Sequence, residues 1–454
     1  FSVRETSARA PAARDLRTVM HSRVIEPGSA DYERICRIWN GAVQSRPAIV
    51  AVCQTVEDVQ SAVRTARAHA LPLSVRGGGH DWAGRAICDD GLVIDLSEMR
   101  QVDVEPSAQI ATVQGGARAR DVIAAAARHG LVAVTGSCGA VGMTGLTLGG
   151  GYGALSSRYG LALDNLLSVE IVLADGRRVI ANPRKHSELF WALRGGGGNF
   201  GVVTAMRIRL HAHPKLLAGL ILYPWSEATR VLHGYASLLG WAPDAFSAQA
   251  GVLTAPDGEP ALFLSPVWTG EPTQGEQLML RLQRLGETSL AQVGWMTYGE
   301  MLGLFDEHIV EGRHYAMRTR WLPDLTPDVI RALVAGGETR TSPLSAIVLH
   351  PFRGAAARVP AYATAFGMRQ RHFMAEFLAA WEPEEDGAVH RQWVNDVCQA
   401  HAPFSLPGGY ANLLGPDAHA QIPDAYGENL ARLQDVKRRF DPGRVFNSAI
   451  PLPA

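Results

Sequence analysis

The sequence predicts an α+β or mixed α/β protein built as two domains. Three observations carry that reading. The chain has 454 residues, room for two or three domains at about 150 residues each. From Pro47 to about His213, short apolar strand-like runs alternate with helical ones. After His213 the texture changes: strand and helix signals mix and glycine clusters thin out, which sets a second domain at about 214–410.

Residues Phe1 to about Pro27 are rich in Arg, Ala and Ser without an apolar core segment, so 1–46 is expected to be a loosely packed arm. No signal-peptide core is visible. The chain opens on Phe1 rather than Met, so upstream residues are expected to have been removed. Ile49–Val52 reads as a strand. Thr55 then caps a helix with Asp58 three residues on, a capping box, and Val59, Ala62, Val63 and Ala66 form its apolar face. Leu73–Val75, Leu92–Leu96 and Ile110–Val113 are further strands. Asp121–Arg128 is a helix stopped at Gly130. Leu166–Leu173 and Arg178–Ile180 flank Asp175-Gly176, a hairpin signal. A helix over Glu188–Leu193 and a strand over Val202–Leu210 close the first region. Beyond it, Leu220–Tyr223, Ala261–Val267 and Ala346–Leu349 read as strands, Glu276–Leu285 and Pro327–Val334 as helices. A basic amphipathic helix runs from about Ile422 to Arg438-Arg439-Phe440, followed by the turn Asp441-Pro442-Gly443.

Composition narrows the function. With 47% hydrophobic and 19% charged residues the chain is not disordered. Lys+Arg is 43 against Asp+Glu 44, so nothing in its charge seeks nucleic acid or an anionic membrane. The longest apolar stretch, Leu216–Trp225, is too short to span a bilayer. Five scattered cysteines make neither a disulfide framework nor a metal set, so a reducing, cytoplasmic setting and no metal are expected. Monomer and homodimer both remain open.

Glycine is 47 of 454 residues, about 10% where about 7% is average. The excess falls in Arg76-Gly77-Gly78-Gly79-His80, in Gly149-Gly150-Gly151-Tyr152-Gly153 and in Gly195–Gly198 followed by Asn199-Phe200-Gly201. Consecutive glycines let backbone N–H groups converge on an anion. Three such stretches in one domain, the first two beside strand-like segments, suggest a large phosphate-bearing cofactor. Gly196-x-Gly198-x-x-Gly201 matches a dinucleotide fingerprint, but a helix precedes it and a strand follows, the reverse of the required order. No P-loop is present. His80 is either a histidine satisfying its own hydrogen bonds at a turn or a nucleophile. Cys138, in Thr135-Gly136-Ser137-Cys138-Gly139, is either a small buried side chain or a second nucleophile.

Val75-Arg76-Gly77-Gly78-Gly79-His80-Asp81 resembles the pyrophosphate loop of the vanillyl-alcohol-oxidase, or PCMH-type, FAD flavoproteins, and of their berberine-bridge-enzyme-like branch in particular. Gly136 to Gly142 through Gly149–Gly153 is similar to that branch's flavin loop, and Tyr159–Asn165 and Phe190–Thr204 continue the likeness. Tyr410-Ala411-Asn412, Tyr426-Gly427-Glu428-Asn429, Phe440-Asp441-Pro442 and Phe446-Asn447 fit its C-terminal signature. The match is good over 47–212 and moderate over 408–451.

The resemblance implies a two-part FAD-binding PCMH-type domain over 47–213, completed by a C-terminal segment over 411–454. The substrate domain between them would carry an antiparallel sheet covered by helices. It implies FAD attached through its 8α carbon to His80 and through C6 to Cys138, the bicovalent subgroup. Cofactor contacts carry over to Arg76, Gly77, Gly78, Gly79, His80, Asp81, Cys138, Val141, Gly142, Gly145, Gly149, Gly151, Tyr152, Gly153, Gly201, Val203, Tyr410 and Asn412. Tyr410 is the candidate base, with Tyr152, Tyr298, Tyr315 or Tyr362 assisting. A free tyrosine titrates near pKa 10, so a neighbour must stabilise its phenolate. The expected activity is hydride transfer from an alcohol, sugar or secondary-metabolite C–H of a bulky substrate, with O2 reduced to H2O2. Two alternatives remain open: a flavin dehydrogenase with another acceptor, on which Met143 near the flavin loop would bear by gating oxygen, and a non-catalytic flavin-binding protein. His350, His372, Arg353 and Arg369 receive no role. Trp225, Trp268, Trp295 and Trp321 either line a site or fill the core.

Overall fold

The computed structural model describes residues 3–20, 22–213, 215–447, 449–450 and 452–453; Phe1, and with it the reading of a processed start, lies outside them. Three sheets organise the described residues. The first contains β1 (Val24–Ile25), β2 (Ile49–Val52), β3 (Leu73–Arg76) and β4 (Leu92–Asp95) in the order β1-β2-β4-β3. Its β2-β4-β3 part is parallel. The helix Val56–Ala68 makes the β2–β3 crossover. Thr55 Oγ1 accepts from the Asp58 N–H, and the Asp58 carboxylate accepts from the Thr55 N–H, so the capping box closes. Its Val59, Ala62, Val63 and Ala66 are buried against the sheet.

The N-terminal arm departs from expectation. Val3–Val19 is a helix, and its Ala12, Ala13 and Leu16 are buried in the same core. Two of those three are alanines, too small to mark an apolar face in the sequence, and their close packing needs that smallness.

The second sheet contains β5 (Val102–Glu105), β6 (Ile110–Gln114), β7 (Leu131–Ala133), β8 (Leu166–Val172), β9 (Arg178–Ala181) and β10 (Val202–Ala212). Its order is β5-β6-β10-β8-β9, with β7 also on β10. The β8–β9 hairpin turns through Asp175-Gly176, where Gly176 has φ +80. Gly149 ends the helix Met143–Gly149, so the second glycine cluster follows a helix rather than a strand.

The third sheet is wholly antiparallel. It contains β11 (Leu216–Pro224), β12 (Phe246–Thr254), β13 (Pro260–Trp268), β14 (Leu290–Met296), β15 (His314–Leu322), β16 (Ala346–Phe352) and β17 (His372–Trp381) in the order β14-β11-β13-β12-β16-β17-β15. Side chains alternate across a strand. On β17, Phe373, Ala375, Phe377 and Ala379 enter a core shared with helices Ala228–Trp241, Pro327–Glu338 and Gly387–His401. The opposite face, bearing Met374, Glu376 and Leu378, is turned to a cavity.

The C-terminal segment returns to the second sheet's core through Tyr426, Leu433 and Val436. Its helix is not continuous: Ile422–Tyr426 stops at Gly427 (φ +53) and Leu430–Phe440 resumes after one 3-10 turn. Lys437 Nζ donates to Asp441 Oδ2 (2.7 Å), Asn199 O (2.6 Å) and Phe446 O (2.7 Å), tying this helix and the tail to the third glycine stretch. No helix among the described residues is long and apolar enough to cross a membrane.

Candidate active site

A cavity of about 370 Å³ lies where the glycine stretches, the third sheet and the C-terminal segment meet. Gly77–Asp81, Gly136–Cys138, Val141, Gly142, Gly145, Gly149, Tyr152, Gly195, Gly197 and Gly198 line it. So do Tyr410–Leu413, Tyr426, Phe446, Ala449 and Ile450. The glycines divide by what a side chain would meet. A Cβ on Gly78 would stand 2.4 Å from the backbone N of Gly142, and one on Gly142 2.5 Å from that of Gly78, so these two let the loops clasp. At Gly149 a Cβ would strike the Asn412 side chain. Gly145 and Gly197 have no protein atom within 4 Å of an added Cβ, and at Gly77 only one carbonyl lies near, at 3.3 Å. No packing contact requires glycine at these positions, though Gly197, at φ +67, also needs it for its backbone conformation. A side chain would occupy the cavity itself, as expected where backbone must approach a ligand.

His80 and Cys138 meet at one wall, with Cys138 Sγ 3.7 Å from His80 Nε2. Burial pushes the His80 pKa down to about 4, so the imidazole is neutral near pH 7 and keeps a lone pair. Trp39 stacks on it (4.3 Å, 13°) and Tyr315 stacks on Trp39 (3.8 Å, 16°), fixing the ring. Burial pushes the Cys138 thiol up, and the Ala140 N–H donates to its sulfur at 3.4 Å. Asp81 accepts from the Ala83 N–H and lies 3.5 Å from Arg85.

The Tyr410 hydroxyl accepts from the Gly151 N–H and from Asn412 Nδ2, each at 2.9 Å. Burial raises its pKa to about 12 against the opposing pull of these two donors. The ring of Tyr152 meets that of Tyr410 edge-on at 4.8 Å. His372 Nδ1 is 2.8 Å from the Gln370 carbonyl and so carries the proton. Its Nε2 therefore accepts from the Tyr152 hydroxyl, 2.8 Å away.

Several residues named from the sequence lie outside the lining. Arg76 turns away to the carbonyls of Ile35 and Arg37 and to buried Asp95. Gly151 reaches the site through its N–H on Tyr410, while its carbonyl accepts from the Ala162 N–H. Gly153 sits 1.9 Å, by its would-be Cβ, from the Thr135 carbonyl, and Gly201 2.5 Å from that of Val172: both are packing glycines. Val203 is buried within β10. Tyr298 bonds Thr135 in another core cluster, Tyr315 braces Trp39 and Tyr362 is exposed. Met143, Trp268 and Trp321 are core residues, Trp295 is exposed and Trp225 packs against the core of the third sheet; none lines the cavity. Arg353 holds the carbonyls of Ala242, Pro243 and Phe246, and Arg369 pairs with Asp164. Sequence reasoning missed Trp39, Trp82 and Glu376, and left His350 without a role; all four line the cavity.

A cavity walled by bare glycine backbone, with a lone-pair imidazole beside a thiol and a buried tyrosine, suits a large flavin cofactor, as in the FAD-binding oxidoreductases of PCMH-type fold. Comparison with known proteins agrees. Residues 47–182 match the FAD binding domain family and residues 409–453 the berberine and berberine-like family. The chain is 30% identical over 442 residues to (R)-6-hydroxynicotine oxidase of Paenarthrobacter nicotinovorans, covering 94% of this chain and 95% of that protein. It is 28% identical to xylooligosaccharide oxidase of Thermothelomyces thermophilus, covering 92% and 89%. The crystal structure of 6-hydroxy-D-nicotine oxidase from Arthrobacter nicotinovorans superposes with a TM-score of 0.86 at 28% identity, over 96% of this chain and 98% of that one. The chain belongs to the berberine bridge enzyme-like family of FAD-linked oxidoreductases. The open space at Gly77, Gly145 and Gly197 fits its FAD.

Proposed function

We propose that this chain is an oxidase that holds FAD covalently through His80 and Cys138 and oxidises an alcohol, sugar or secondary metabolite with release of H2O2. The observation that carries the reading is the His80 imidazole and the Cys138 thiol side by side in the cavity wall, 3.7 Å apart, where both can face the same edge of one ring system. A neutral imidazole is the competent nucleophile, and burial keeps His80 in that form. Its stacking on Trp39 limits rotation, so the ring is held before any bond forms. FAD supplies the hydride acceptor and the route of electrons to O2.

The protein's part is binding, orientation and proton handling. Tyr410 is the base: its oxygen takes the proton of the substrate hydroxyl or amine as the adjacent C–H leaves as hydride, and a C=O or C=N bond forms. The Gly151 and Asn412 donors point at that oxygen and favour its anionic form, offsetting part of the cost of burial. Tyr152, anchored by His372, packs against the Tyr410 ring and holds its angle.

Anaerobic mixing with substrate separates the readings. An oxidase bleaches, and regains its colour on admission of air with one H2O2 per substrate consumed. A dehydrogenase bleaches but recovers only with a quinone, and a chain that no alcohol, amine or sugar bleaches is not an enzyme of this kind.

A further inference from the structure

The third sheet gives the cavity one wall unlike the others. Met317, Met374 and Leu378 from its strands, with Ile309 beside them, present apolar groups, and among them stands the carboxylate of Glu376. It is braced from one side. Gln249 Nε2 lies 2.9 Å from His350 Nδ1, and His350 Nε2 lies 3.1 Å from Glu376 Oε2. An amide N–H donated to Nδ1 leaves the imidazole proton on Nε2, where it is donated to the carboxylate. No arginine or lysine pairs with Glu376 among the described residues. Asp81, the other acidic residue in the lining, differs: it is bonded to backbone and faces Arg85.

A carboxylate in an apolar wall is costly unless a cation meets it. A sugar would leave most of its hydroxyls against methionine and leucine without partners. A compound with an apolar body and one basic nitrogen satisfies both parts: adaptable methionines take the body and Glu376 takes the N–H⁺. We infer that the substrate of this site is an apolar, ring-bearing amine, bound as its cation on Glu376, with His350 and Gln249 as positioning residues for that carboxylate. The inference rests on the oxidase reading above and names its substrate class. The charge on Glu376 also raises the Tyr410 pKa, so a cation seated there eases formation of the phenolate.

The test uses the flavin-containing protein at pH 7 and three probes: 2-phenylpyrrolidine, its uncharged analogue 2-phenyltetrahydrofuran, and cellobiose. Affinity is read from perturbation of the flavin spectrum or, if a probe is oxidised, from the concentration dependence of anaerobic bleaching. The amine is expected to bind at least tenfold more tightly than the ether or the sugar. Glu376→Gln should abolish that preference and leave the ether unchanged, and His350→Gln should weaken the amine alone. N-acetyl-2-phenylpyrrolidine, with the same rings and no charge, should bind the wild type like the ether, which decides the matter even if the variants fail to fold. A wild-type ratio near one, tighter sugar binding, or an amine preference that survives Glu376→Gln overturns the inference. Wild-type protein without flavin overturns the oxidase reading and this one with it; flavin present without amine preference overturns this one alone.

Discussion

Tyr410 shows how two opposed effects share one atom. Burial pushes the phenol up to about 12, while two N–H donors aimed at its oxygen pull the other way. A base must be deprotonated to act, so kcat/KM is expected to rise with pH from neutrality into the alkaline range and to level only near the tyrosine pKa. Tyr410→Phe should slow anaerobic flavin reduction by about 10²-fold or more and remove that alkaline rise; an unchanged reduction rate would rule Tyr410 out. His80 and Cys138 make a separable pair: His80→Ala and Cys138→Ala should each leave one covalent link, and the double variant none, read as flavin released on acid precipitation. Of the cavity-lining residues, His80, Cys138 and Tyr410 stand out in the sequence because each sits inside a motif. Glu376 and His350 do not. They sit singly in strands whose neighbours are apolar, and only cross-strand register (His350 opposite Met374) brings them together.

Among the elements, local signals predicted well where they were chemically explicit. The Thr55–Asp58 box, the Asp175-Gly176 hairpin and the strand Ile49–Val52 stand where the sequence put them. The third sheet was only half visible: Phe246–Thr254, His314–Leu322 and His372–Trp381 are covered on both faces, so they lack the polar alternation that marks a half-exposed strand. The short helix Met143–Gly149 was hidden by its own glycines, one of which now has a distinct role. Gly145→Ala replaces a helical glycine with no steric obstacle, so the apoprotein should gain about 0.5–1 kcal/mol in a denaturant titration, yet its flavin content should fall because the new methyl enters the cavity. Gly78→Ala, driven into the Gly142 backbone, should instead lower stability outright. Equal flavin content in Gly145→Ala and wild type would refute the division of the glycines.

At the scale of the whole molecule, the cavity exists because distant parts of the chain close on it. The Lys437–Asp441 pair is almost fully buried and fastens the tail that supplies Phe446, Ala449 and Ile450 to the lining. Lys437→Met leaves Asp441 without its cation and should cost about 3–5 kcal/mol in chemical denaturation, with early loss of flavin. Among the described residues, three histidines, His80, His211 and His372, have pKa values pushed down to about 4 by burial. Between about pH 6.5 and 4 the unfolded chain binds protons that the folded chain does not. Stability should therefore be full above about 6.5, fall as pH drops through that window, and gain no further loss from these groups below it; a Tm flat from pH 7 to 4 would contradict this.

The proposed attachment of flavin to His80 and Cys138 has a direct test. Intact mass spectrometry of the acid-denatured wild-type chain, followed by peptide mapping, should give one FAD per polypeptide, carried on the peptides containing His80 and Cys138 together. An unmodified mass, with both peptides at their bare sequence values, would contradict the account.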